Sequence, residues 1–124
     1  MKKLITNRHK LFGTDGIRGT PGAYPLTNEM LATIASSLAQ HLLTTRTDRL
    51  KQRVVIGKDT RMSGENIEKI LSDNIRAYGI DVLLTGTITT PGLAYFVKEL
   101  KADAGIMISA SHNKATDNGI KFFN

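Results

Sequence analysis

Ser111, His112, Asn113 and Lys114 stand in a row just after the apolar run Gly105-Ile106-Met107-Ile108. A hydroxyl held at the end of a rigid strand can act as a nucleophile or as a carrier of a phosphoryl group. Donors surround it: His112, Asn113, Lys114 and, beyond the turn Asp117-Asn118-Gly119, Lys121. The competing reading is a solvated polar turn without chemistry. Adjacent Ser and His do not make a triad, because the base must reach the hydroxyl in space. Two further polar loops follow apolar runs, Lys58 to Gly64 and Thr85 to Pro91. In an open α/β sheet such loops gather at the carboxyl ends of the strands, where ligands bind. The glycine-rich stretch Gly13 to Gly19 has neither G-x-G-x-x-G spacing nor a P-loop lysine, and reads as a tight turn in which Asp15 and Arg18 pair locally. His9, His41 and His112 lack metal-ligand spacing, and the first two read as surface residues.

The elements that must position these loops show in the hydrophobic period. From Thr27, a candidate N-cap with Glu29 in the first turn, the residues Leu31, Ile34, Ala35, Leu38 and Leu42 recur at helical spacing. Val54-Val55-Ile56, closed by Gly57, is a short β-branched strand. A second helix follows Ser63, its expected cap, with Ile67, Ile70, Leu71, Ile75 and Tyr78 on one face and Gly79 as its terminating C′ residue. Ile80 to Leu84 is the next strand. Thr90-Pro91 opens a third helix, proline at its first position, with the stripe Leu93, Phe96, Val97 and Leu100. Gly105 to Ile108 and Gly119 to Phe123 complete the strands. Strand and helix alternate, which predicts βαβ units around a mixed, largely parallel sheet.

Composition bounds the rest. The chain has 124 residues, 40% hydrophobic and 23% charged, which is enough for one domain. Without cysteine there is no disulfide scaffold, thiolate metal site or Cys nucleophile. No apolar run is long enough to span a membrane, and the basic start, Met1 to Ile5, lacks the apolar stretch of a secretory signal. A soluble, cytoplasmic protein is expected. The net charge of +6 comes from scattered residues, with loose clusters at Lys2 to Lys10 and Arg46 to Arg53. Aromatics are only 6%, so no basic-aromatic platform for nucleic acid is visible and a solvated surface is favoured. Asn124 follows directly on an apolar strand with no helix to cover it, so residues 1–124 are expected to be the N-terminal domain of a longer chain, truncated at its C-terminal end.

Three blocks in order, Leu11 to Gly19, Gly57 to Gly64 and Ile108 to Asn113, resemble the α-D-phosphohexomutase superfamily. Phe-Gly-Thr-Asp-Gly-Ile-Arg-Gly and Ser-Ala-Ser-His-Asn are wording of its phosphoglucosamine mutase branch. Thr90 to Tyr95 and Asp117 to Phe123 fit as well. The resemblance implies a three-layer α/β/α first domain of a four-domain isomerase that interconverts glucosamine 6-phosphate and glucosamine 1-phosphate. It places Ser111 where the family carries its phosphoserine, which donates a phosphoryl to the sugar and takes one back through a bisphosphorylated intermediate. Arg18 and Lys121 match residues that serve as charge stabiliser and proton-transfer group, while His112 and Asn113 shape the loop.

The resemblance also implies Mg2+ bound through the phosphate on Ser111, with its Asp-x-Asp-x-Asp ligands in later domains and so absent from this chain. The isolated chain is therefore expected to be inactive. The implied partners are a phosphorylated hexosamine, the downstream domains and a second copy in a homodimer; neither nucleic acid nor membrane is expected. Two positions depart from the family. Lys114-Ala115-Thr116 replaces a segment that usually opens with proline, which predicts a looser loop with added positive charge. Thr89 stands where a proline often precedes Thr-Pro. The alternatives are the first domain of a phosphomannomutase or phosphoglucomutase, or a catalytically silent remnant that binds anions or partners.

Overall fold

A computed structural model describes residues 16–45 and 51–123. His9, Asp15, the block from Leu11 to Asp15, the cluster from Lys2 to Lys10 and the Arg46 to Leu50 part of the second basic cluster lie outside the described residues. The elements are β1 (Ile17–Gly19), α1 (Asn28–Thr45), β2 (Arg53–Lys58), α2 (Gly64–Arg76), β3 (Asp81–Thr87), α3 (Thr90–Glu99), β4 (Ala104–Ile108) and β5 (Asn118–Phe123). The five strands form one sheet in the order β1-β5-β4-β2-β3.

Burial on both faces explains the unbroken apolar runs of the central strands. Val54, Ile56, Ile106 and Ile108 point toward α1 and α2, where they join Leu31, Ile34, Leu38, Ile67, Leu71 and Ile75. Val55 and Met107 point the other way and pack on Leu93 and Val97 of α3. The result is the expected α/β/α sandwich. Each isoleucine or leucine buried in this way contributes about 1.5–3 kcal/mol relative to exposure.

The sheet is mixed, as expected, with two parallel and two antiparallel pairings among the described residues. β2 runs parallel to β3 and β4, whereas β5 is antiparallel to β4 and to β1. The cause is the short Ser109–Asp117 connection, which lacks a crossover helix and can only return the chain antiparallel. The strand β1, which falls in the stretch expected to be a tight turn, forms an edge of the sheet among the described residues.

Capping differs in detail from expectation. Thr27 caps α1 as expected, its Oγ1 accepting from the Met30 N–H at 3.1 Å. Ser63 precedes α2 in helical geometry and makes no side-chain cap. Its Oγ accepts instead from Asn118 Nδ2 at 2.8 Å, so it ties α2 to the start of β5. Gly79 lies beyond the Ala77 C-cap, with φ +81°. Thr89 is the N-cap of α3, accepting from the Gly92 N–H at 3.1 Å, so Thr90 is the first helical residue and Pro91 the second. Phe96 and Tyr78 are exposed despite their helical spacing, and Tyr78 accepts a hydrogen bond from Gln40 Nε2.

Candidate functional site

Because β2, β3 and β4 are parallel, the loops after them emerge at one edge of the sheet. β5 starts at that edge and β1 ends there, with Gly19 opposite Asn118. The topology thus gathers the 59–63 loop, the 109–117 loop and the residues around Arg18 and Thr20. Between the loops and the Thr20–Pro21 turn lies an open cleft of about 630 Å3, lined in part by Asp59, Arg61, Ser63 and Asn113.

Ser111 is exposed at the tip of the second loop with φ 50°, a left-handed conformation that only neighbouring contacts can hold for a residue with a side chain. Two contacts act on it directly. Its N–H donates to Ser109 Oγ at 3.1 Å, and its carbonyl accepts from Arg61 Nη2 at 2.8 Å. The Arg61 Nη1 donates to the carbonyls of Lys114 (2.6 Å), Asp117 (3.2 Å) and Asn113 (3.4 Å). Arg61 Nε bonds Asp59 Oδ2 at 2.9 Å. Burial alone would push the Asp59 carboxyl up. The Ser109 hydroxyl, the Arg61 N–H and the guanidinium outweigh it and hold the carboxyl below the ordinary value.

A second chain of contacts reaches β1. Arg18 Nη1 donates to Asn113 Oδ1 at 2.9 Å, and Asn113 Nδ2 donates to Asp117 Oδ2 at 3.3 Å. The Asn113 amide therefore sits between a cation and a carboxylate. Lys121 lies further along β5, opposite Met107, with its ammonium 5.6 Å from the centroid of the Phe123 ring. Strand alternation puts Lys121 and Gly119 on one sheet face, and Gly119 pairs with Arg18. His112 and Lys114 are exposed; of Lys114, the carbonyl is what binds Arg61.

The structure thus joins Arg18, Asn113 and the Ser111 loop, and gives Lys121 the nearby aromatic contact. Arg61 and Asp59 are site residues that the sequence reading misses. Their signal is their place in a polar loop directly after a buried strand.

A family model described as Phosphoglucomutase/phosphomannomutase, alpha/beta/alpha domain I, matches residues 9–124. The chain belongs to that domain I family. A phosphoglucosamine mutase of Geotalea daltonii is 51% identical over 114 residues, which is 92% of this chain and 24% of that protein. One from Anaeromyxobacter sp. is 46% identical over the same shares. A solved chain from Thermus thermophilus, assigned as a phosphomannomutase, superimposes with a TM-score of 0.79 at 37% identity, covering 91% of this chain and 25% of that one. The open form of Paramecium parafusin, a phosphoglucomutase, shares the fold with a TM-score of 0.71 at 22% identity, over 90% of this chain and 21% of that one. This domain I chain spans about a quarter of the length of the curated relatives it matches.

Two properties of the domain follow from its geometry. Among the described residues there is no group of three or more His, Asp or Glu side chains that could hold a metal ion. Among the same residues no helix is long and apolar enough to cross a membrane.

Proposed function

We propose that this domain I chain carries the phosphoserine of a phosphoglucosamine mutase, on Ser111. The observation that carries the reading is the exposed Ser111 at positive φ, on a loop tied by Arg61 and linked through Asn113 to Arg18. Phosphoryl transfer is mostly positioning and charge neutralisation, and this edge supplies both.

In the proposed cycle the phosphoryl on Ser111 Oγ passes to a free hydroxyl of a hexosamine phosphate. The P–Oγ bond breaks, a P–O bond to the sugar forms, the hydroxyl proton leaves to a base, for which Lys121 is the candidate, and the departing Ser111 Oγ takes up a proton to become a hydroxyl again. The bisphosphorylated sugar turns over, and its other phosphoryl returns to Ser111 Oγ while the proton is handed back. Arg18, oriented by the Asn113 amide, faces charge that builds on the transferring group. His112 and Lys114 border the phosphate, where the Lys114 charge favours the phosphorylated form. A magnesium requirement, a homodimer and a cytoplasmic location belong to the proposal for the longer protein, with metal ligands drawn from outside this chain.

A second reading in the same class is a phosphomannomutase, favoured by the Thermus structure. Grafting residues 1–124 in place of the matching quarter of the Geotalea daltonii relative tests both. The expected result is interconversion of glucosamine 6-phosphate and glucosamine 1-phosphate, abolished by Ser111→Ala, with one phosphoryl group on the Ser111 peptide by mass spectrometry. Preference for mannose phosphates would favour the second reading. Full activity in Ser111→Ala would end both.

A further inference from the structure

We propose that Arg61 is a positioning residue: it fixes the backbone of the 109–117 loop and thereby aims the Ser111 hydroxyl. The functional half of this statement rests on the reading of Ser111 as phosphoryl carrier; the structural half does not.

Four backbone carbonyls of one loop, those of Ser111, Asn113, Lys114 and Asp117, converge on a single guanidinium. A guanidinium offers five N–H donors in a rigid plane, so each carbonyl it binds is fixed in direction as well as distance. The group is itself held: its side chain is 10% exposed, and Asp59 grips both its Nε and the Arg61 backbone N–H. Asp59 in turn is anchored to the sheet, its own N–H donating to the Ile108 carbonyl at 3.1 Å, one strand over. The chain of force runs from β4 through Asp59 and Arg61 to Ser111.

That chain answers two oddities of the loop. Ser111 occupies a left-handed conformation that costs about 1–2 kcal/mol for a residue with a Cβ. The bond from Arg61 to its carbonyl is one of the contacts that impose it. Position 114, meanwhile, is a lysine, without the ring that fixes φ in a proline. The Lys114 carbonyl makes the shortest of the four bonds, 2.6 Å, so the restraint a ring would give is supplied from across the cleft. The looseness expected from Lys114-Ala115-Thr116 is opposed by Arg61.

The test has two arms. In the first, amide hydrogen exchange is followed in the 124-residue chain and in Arg61→Lys and Arg61→Met. The Ser111, Asn113 and Asp117 amides should exchange at least roughly tenfold faster in both variants, with β2 and β4 amides unchanged. In the second, the same substitutions are made in the Geotalea graft. The expected outcome is a fall in kcat of about a hundredfold, as for a slightly misplaced reacting group, with KM for the sugar phosphate unchanged. Lysine should not rescue, because a point charge cannot hold four carbonyls in fixed directions.

Unchanged loop exchange overturns the proposal, and so does restoration of kcat by lysine or a loss confined to KM. If Arg61→Met does not fold, Arg61→Lys decides alone. A wild-type graft that phosphorylates no serine rejects the proposed function, and the exchange arm still judges Arg61.

Discussion

Gly119 offers the sharpest quantitative test of how the site is built. It lies in β5 between two flanking backbones, and a Cβ placed on it would sit 2.7 Å from the Ile17 carbonyl oxygen, 2.8 Å from the Ser109 carbonyl oxygen and 3.0 Å from Arg18 Cγ. Two of these obstacles are main chain on opposite sides, so neither can be relieved by a rotamer change. Overpacking costs about 1–3 kcal/mol where side chains can shift; here the upper end applies. The Ser109 N–H bond to the Gly119 carbonyl, 2.9 Å, is strained as the backbones part and adds about 1 kcal/mol. Gly119→Ala should therefore lower stability by about 3–4 kcal/mol, a drop in Tm of roughly 10–20 °C. Urea unfolding followed by circular dichroism measures it, with Gly22→Ala as control. Gly22 has φ +88° and nothing within 4 Å, so its variant carries backbone strain without a clash. A loss below about 1 kcal/mol at unchanged m-value would refute the claim that β1, Ser109 and Arg18 close on this residue.

Three further outcomes are expected. Thr89→Ala removes the acceptor for the Gly92 N–H and should cost about 1 kcal/mol in chemical denaturation, against no change for the exposed Thr87→Ala. Lys58→Met strands the buried Glu68, whose two oxygens lie 3.2 Å from the ammonium, and should cost about 3 kcal/mol; the double variant Lys58→Met, Glu68→Leu should recover most of it, and a double-mutant cycle without coupling would contradict this. The Asp59 carboxyl is held low in the fold, so its contribution is complete above the unfolded-state pKa of about 3.9 and disappears as pH falls through the lowered value. Asp59→Asn should accordingly flatten the acid limb of a stability–pH curve, and parallel curves for the two proteins would count against the assignment.

The sheet interior is legible because burial on both faces leaves an unmistakable run: Val54 to Ile56 and Gly105 to Ile108 are strands in sequence and in space. The helices are equally plain, since Leu31, Ile34, Leu38 and Leu42 repeat with the turn of α1 and are buried. β1 is not, because a strand of three residues with one apolar member, Ile17, has no period to read. Its partner is at the far end of the chain. The departures in capping share a cause: Ser63 and Thr89 are both chemically competent, and only the backbone angle and the hydroxyl's other suitors decide which one caps. Arg61 is hidden for a related reason. A side chain that binds carbonyls recognises no residue type, so nothing in the letters of the 109–117 loop announces it. The loops themselves, and their meeting at one edge, follow from strand order.

β1 finds its neighbour among the described residues in β5, with Ile17 set against Ile120. Arg18 therefore has no seat beside Asn113, 95 residues further along, until the chain through β5 has been made. Joining such remote segments is the slow kind of folding step. A chain that stops short of β5 cannot bring Arg18 up beside the serine loop. Closing the seam between β1 and β5 and bringing Arg18 to the 109–117 loop are one event.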